Sequence, residues 1–282
     1  MKVLVTGSAG LPGHDVVRLL EERGIPCLGV DKPDLDLADT ESVRRLIEDY
    51  APDAVIHCAG YTDSDKAESL PERCAALNGL GTLTVARAAA HCGAKMLFLS
   101  SPHVFPCIGD QPYAAADAYG PCNVFGMSKV QGEDATRSLL TRYFIVRADW
   151  IYGNGKKDFI RPLLKAAQEK KSLRISSDQI SSPTYAKDLA KVICDLIVTD
   201  KYGIWQARNE GYYSRAEFAS LILKKTGSSC RIMPVLTSEL PGVPRRPLNC
   251  RMAAELPAGI GPMPTVEDAL DRCLRDMNLK LL

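Results

Sequence analysis

Apolar residues gather into four short runs in the first hundred positions, at 2–6, 27–31, 54–58 and 96–100. Between them, segments 11–23, 42–50 and 79–92 carry apolar residues at helical spacing over helical length. Strands alternating with helices in this way predict βαβ units, hence an α/β fold with a Rossmann-type, doubly wound parallel sheet. A fifth strand is predicted over 143–147. Past about residue 149 prolines become frequent and the pattern loosens, with helices expected at 159–169, 186–197, 214–226 and 265–277. The spacing divides the chain into a first unit over 1–150 and a smaller C-terminal lobe over 151–282, some of whose segments return to the first.

Between the first strand and the first helix stands Gly7-Ser8-Ala9-Gly10-Leu11-Pro12-Gly13. Glycines there permit a tight turn, so that N–H groups opening the helix face a pyrophosphate. Gly7, Gly10, Leu11, Pro12 and Gly13 are therefore candidate dinucleotide contacts, and Pro12 is tolerated in a first helical turn. Asp31 ends the second strand, where a carboxylate can take a ribose 2′-hydroxyl and favour NAD. The adjacent Lys32 suits a 2′-phosphate, so the cofactor is NADP or NAD. Asp36 and Leu37 either approach the adenine or start the next helix. Ala59, just past the third strand, is a further contact candidate.

Composition narrows the rest. Basic and acidic residues number 35 and 34, a net charge of +1, so no global field draws the protein to nucleic acid or membrane. No apolar stretch approaches the roughly 18 residues of a membrane span, and the first strand starts too early for a signal peptide. A cytoplasmic location is expected. The ten cysteines form no Cys-x-x-Cys pair and no zinc-like cluster in sequence; reduced thiols and no metal are expected. His14, His57 and His91 have structural settings, and Tyr119 reads as a loop residue.

In the segment 123–129, Phe125 precedes Lys129 by four residues, which puts both on one helical face. The segment resembles the Tyr-x-x-x-Lys helix of the extended short-chain dehydrogenase/reductase family, with phenylalanine in place of tyrosine. The resemblance extends to segments 61–68, 147–153, 178–184 and 246–252 and to Asn78, and is strongest toward the branch that reduces the 4-keto group of nucleotide-linked 6-deoxysugars. It implies a sugar-nucleotide substrate, hydride from NADPH or NADH, and allows a homodimer. It further implies that Lys129 holds the nicotinamide ribose, that Ser101 polarises the carbonyl, and that Trp150, Arg246 and Asn249 contact substrate. An arginine at 246 suits a pyrophosphate, which it can pair bidentately; a surface arginine and a core tryptophan are the plainer alternatives.

The departures from that family cluster. Ser100-Ser101-Pro102-His103-Val104-Phe105 replaces its usual Ser-Thr-Asp-Tyr-Val-Phe, Pro106-Cys107 stands for Asp-Gly, and Phe125 lacks the phenol. A strand extended past Ser101 would put residues 101 and 103 on one face. His103, with an ordinary pKa near 6.5, would then be a candidate proton donor at neutral pH. The alternative is a catalytically silent, dinucleotide-binding regulatory or scaffold protein of the same fold.

Overall fold

The computed structural model describes residues 1–32, 34–155, 158–241 and 246–279. Strands β1 (Val3–Thr6), β2 (Cys27–Val30), β3 (Ala54–His57), β4 (Lys95–Ser100) and β5 (Tyr143–Arg147) lie parallel. β6 (Gly203–Gln206) joins beside β5, giving the order β6-β5-β4-β3-β1-β2.

Period-two alternation sorts the side chains of these strands onto two faces. Val3, Val5, Ile56 and Leu97 meet Val16 and Leu20 of α1 (Leu11–Glu22), with Leu189 and Ile193 of the helix Ala186–Ile197. Leu4, Val55, Met96 and Phe98 meet Val43 and Ile47 of α2 (Thr40–Tyr50), with Val85 and Ala89 of α3 (Gly81–His91). Apolar cover on both faces is why these strands read as continuous apolar runs. The helix 186–197 and β6 come back to this sheet from the second half, and Leu256, Ile260 and Met263 pack into the same core.

The remaining lobe has its own core of Tyr152, Ile160, Phe218, Ile222, Leu270 and Leu274. They come from β-strand residues and from the helices Ile160–Glu169, Arg215–Lys225 and Val266–Asp276. A Ser214/Glu217 capping box starts the second of these.

Three local expectations change. β6 was not legible as a strand. The helix expected at 79–92 is preceded by a helical turn, Pro71–Ala75, and a π-helical stretch, Ala76–Leu80, that runs into α3. β4 stops at Ser100, and Pro102–Val104 forms a 3₁₀ turn, so residues 101 and 103 do not alternate along a strand. Pro102 has no N–H to give a sheet ladder, and its ring fixes a φ suited to a first helical turn.

Candidate active site

The parallel strands all end at one edge, and the connection reverses there between β1 and β3, where open α/β sheets bind ligands. A Cβ on Gly13 would come within 2.1 Å of the Gly7 carbonyl oxygen, so only glycine lets α1 start this close to the β1 turn. A Cβ on Gly7 would in turn come within 2.6 Å of Ala59 N, just past β3. Asp31 turns its carboxylate onto the turn, accepting from Ala9 N at 2.9 Å and Lys32 N at 2.7 Å. Lys32 and Asp36 are exposed, 3.9 Å apart. The Leu37 side chain is buried against the core beside Gly81. Leu11 packs toward Gly153 and Gly155, at the edge of the second lobe.

Helix α4 (Val124–Leu139) carries the next groups, starting from Asn123, whose side chain accepts the Gly126 N–H. Phe125 and Lys129 are both buried on its inner face. Lys129 Nζ donates to the Leu99 carbonyl at 3.0 Å and lies 5.8 Å from the Phe125 ring centroid. Burial pushes its pKa from 10.5 down to about 8, and no carboxylate pairs with it among the described residues. The π-helical stretch positions Asn78, which bridges Tyr61 N and O to Ser128 Oγ. Ser128 in turn donates to the Phe125 carbonyl at 2.7 Å, fixing the first turn of α4.

His103 meets Phe125 edge-on, with ring centroids 5.2 Å apart. Ser101 Oγ accepts the His103 backbone N–H at 3.3 Å. The structure thus brings Ser101, His103, Phe125 and Lys129 to one place, although by a turn rather than by strand alternation. The ring does not keep its ordinary pKa near 6.5: burial pushes it down, and Asp149 only partly opposes this.

Beyond His103 opens a cavity of about 220 Å³ lined by Asp65, Trp150, Gln179, Arg215, Arg246 and Cys250, among others. Trp150 takes a positive φ of 39°, uncommon for a bulky residue. Its ring lies under Arg215, whose guanidinium carbon is 4.3 Å from the ring centroid. Arg246 pairs bidentately with Asp65 through Nε (2.9 Å) and Nη2. Asn249, by contrast, gives its amide to the carbonyls of Ile108 and Gln111 and accepts from Arg251. It clamps a loop and does not line the cavity.

His103, Asp149 and Cys250 bring one ligand atom each within 4.8 Å of one another. A zinc ion would want such atoms about 3.3–3.7 Å apart, given bonds of about 2.0–2.3 Å. His103 Nδ1 faces the Asn123 amide nitrogen at 3.3 Å, which leaves the ring proton on Nε2, the nitrogen nearest Asp149. As arranged, the trio offers a donor and an acceptor rather than three lone pairs, so it does not fit a metal.

Several groups were not legible in the sequence. Arg215 comes from a distant helix start. Glu133 and Arg147 form a fully buried ion pair, with bonds of 2.9 and 2.7 Å, that Ser100 (2.6 Å) and Tyr119 (2.7 Å) complete behind the site. Tyr119 is therefore a loop residue with a structural bond to the core, and burial beside Glu133 raises its pKa. His57, held between Thr6 (2.7 Å) and Thr82 (3.1 Å), is structural and pushed by burial down to about 3.

A Rossmann-type sheet, a glycine turn at its switch point and a buried lysine one turn beyond Phe125 define a protein of the extended short-chain dehydrogenase/reductase class. Residues 1–279 match the RmlD substrate binding domain family, and the chain belongs to that family. It is 36% identical over 246 residues to the spore coat polysaccharide biosynthesis protein SpsK of Bacillus subtilis, covering 87% of each chain. It is 30% identical to a dTDP-4-dehydrorhamnose reductase of Mycolicibacterium smegmatis, over 95% of this chain and 84% of that one. The crystal structure of the Bacillus anthracis dTDP-4-dehydrorhamnose reductase in complex with NADP superposes with a TM-score of 0.94 at 31% identity, covering 98% of this chain and 100% of that one.

Proposed function

We propose that the protein is an NAD(P)-dependent reductase of a nucleotide-linked 4-keto-6-deoxysugar, the reaction class of the relatives named dTDP-4-dehydrorhamnose reductase. The observation that carries the reading is Lys129: a buried ammonium, without a carboxylate partner among the described residues, beside Phe125 and the chain just past β3. The groove fits a dinucleotide, because the glycine turn leaves room for a pyrophosphate against the N-terminus of α1 and Asp31 stands at the ribose position. Bound there, the reduced nicotinamide supplies a hydride.

The chain's own residues do the rest. Lys129 is charged at pH 7 and holds ribose hydroxyls. Ser101 and His103 face the keto oxygen and polarise it. Arg215 and Arg246 bring two guanidinium groups into the cavity and take the diphosphate of the sugar nucleotide, with Trp150 as the flat surface beside them. In this reading residues 1–150 bind the dinucleotide and 151–282 mainly recognise the sugar nucleotide, apart from the segments that return to the sheet. The absence of a membrane-crossing helix among the described residues is compatible with a cytoplasmic enzyme.

The missing phenol at Phe125 favours a second reading, a silent dinucleotide-binding subunit. Titration of NADH and NADPH, followed by nicotinamide oxidation with a dTDP-4-keto-6-deoxysugar, separates the two. Turnover by the native chain supports the reductase. Tight dinucleotide binding with no turnover supports the silent subunit, and failure to bind either dinucleotide removes both.

A further inference from the structure

Asn123 has two simultaneous duties at the start of α4. Its Oδ1 caps the helix, accepting the Gly126 N–H at 2.8 Å. That bond settles which way the amide points, and it turns Nδ2 toward His103 Nδ1 at 3.3 Å. An amide nitrogen only donates, so Nδ1 must accept and the proton of the neutral ring sits on Nε2. The contact cannot open easily. A Cβ on Gly126 would lie 2.1 Å from the His103 carbonyl oxygen, so the first turn of α4 rests directly on the 102–104 turn.

The Nε2 side of the ring faces the cavity and Asp149, whose Oδ1 is 3.9 Å away and whose Oδ2 accepts from Ser181 at 2.7 Å. We propose that Asn123 is a positioning residue that locks His103 as its neutral Nε2–H tautomer, so that His103 offers the keto oxygen a hydrogen bond in place of the missing phenol. This rests on the reductase reading above. The ring loses no proton; the proton that completes the alcohol comes from water. Among the groups facing the ring, Asp149 and Cys122 favour its charged form, while Arg215, Arg246 and burial oppose it. The N–H of Asn123 and the positive end of α4 oppose it too. Cys250 is a further titratable neighbour, and Asp63 and Asp65 line the same cavity. A neutral imidazole aimed at a carbonyl is an established way to polarise it.

Nitrogen-15 NMR of the whole chain, labelled at its four histidines, reads the tautomer directly once His103→Ala has assigned the signal. The expected native state is a protonated Nε2 and an unprotonated Nδ1 at neutral pH. Asn123→Asp still caps α4 but sets an acceptor against Nδ1, so the proton moves there. Then kcat falls by about 10²- to 10³-fold, as for loss of one oxyanion donor, with the thermal midpoint little changed. Asn123→Ser also caps, leaves the tautomer unlocked, and gives a smaller loss. Above about pH 6.5 the native kcat/KM stays level, where an imidazolium acid would lose activity as pH rises. A native Nδ1–H ring, an imidazolium at neutral pH, or an unmoved proton in Asn123→Asp would overturn the lock. If the native chain turns over no substrate, the reductase reading and the keto-oxygen role fall together, while the NMR result decides the tautomer separately.

Discussion

Replacing Lys129 by methionine should make the ligand-free protein more stable while weakening its hold on the dinucleotide. The lysine is 6% exposed, and burial brings its pKa from 10.5 to about 8. At about 1.4 kcal/mol per pKa unit, holding the charge inside the fold costs about 3 kcal/mol relative to the unfolded chain. Methionine keeps the apolar stem and removes the charge, but gives up the bond to the Leu99 carbonyl, worth about 1.5–3 kcal/mol for a charged donor. The balance is a stabilisation of about 1 kcal/mol, or roughly 2–4 °C in thermal midpoint for a chain of this size. The sign with pH follows from proton counting. Below about pH 8 both states carry the proton and the full cost applies. Between about 8 and 10.5 the folded state sheds it first, the unfolded state binds more protons, and native stability rises with pH. Thermal unfolding of both proteins should therefore show the methionine variant ahead at pH 7 and the gap closing toward pH 10. Added dinucleotide should raise the native midpoint and leave the variant almost unmoved. A variant less stable at pH 7, or a gap that does not narrow, would refute the reasoning.

Phe125→Tyr sets a phenol beside Lys129 and His103 as a second donor to an oxygen that His103 already serves, and should change turnover with a 4-keto sugar nucleotide by less than about tenfold; a gain of about 10²-fold or more would show that His103 does not stand in for the phenol. Glu133→Ala strands Arg147 as a buried charge and should cost about 3–5 kcal/mol in urea unfolding. A loss under about 1 kcal/mol would show that the pair matters little to the fold. Arg246→Ala should raise KM for the sugar nucleotide by about tenfold with kcat little changed, since one charge-assisted contact is worth about 1.5 kcal/mol; an unchanged KM would place the diphosphate elsewhere.

The sheet was legible because its central strands are buried on both faces, so their middle positions are apolar, and the helices between them carry a single apolar stripe. β6 was not, because Gly203-Ile204-Trp205-Gln206 carries no continuous apolar run and becomes a strand only through its ladder with β5. The glycine turn, Asp31 and Lys129 depend on local spacing and landed where expected. Arg215, Glu133 and the second partner of Asn123 depend on contacts between distant segments, which no local pattern encodes. His103 is the instructive case. Its place beside Phe125 was anticipated, but on the premise of a strand that Pro102 ends, and its charge state was set by burial that spacing alone does not report.

The departures from the family and the retained features obey different physical constraints. An ammonium has three donors, and among the described residues Lys129 uses one of them, on Leu99. A buried cation in that state is a standing cost to the free protein, and methionine would relieve it at the same volume. The cost is offset only when a ligand brings oxygens to the remaining donors, so the buried lysine argues for continued dinucleotide binding whatever became of the phenol. At Phe125 the constraint runs the other way. A tyrosine there would place a hydroxyl near the edge of a histidine ring whose proton Asn123 already directs toward the cavity, giving two donors where the keto oxygen, already served by Ser101, has one lone pair left. Phenylalanine and a locked histidine are thus mutually consistent, and the variant to watch is the double one. In Phe125→Tyr combined with Asn123→Asp, the restored phenol should recover most of the activity that Asn123→Asp alone removes. If it recovers none, His103 was not acting in the phenol's stead.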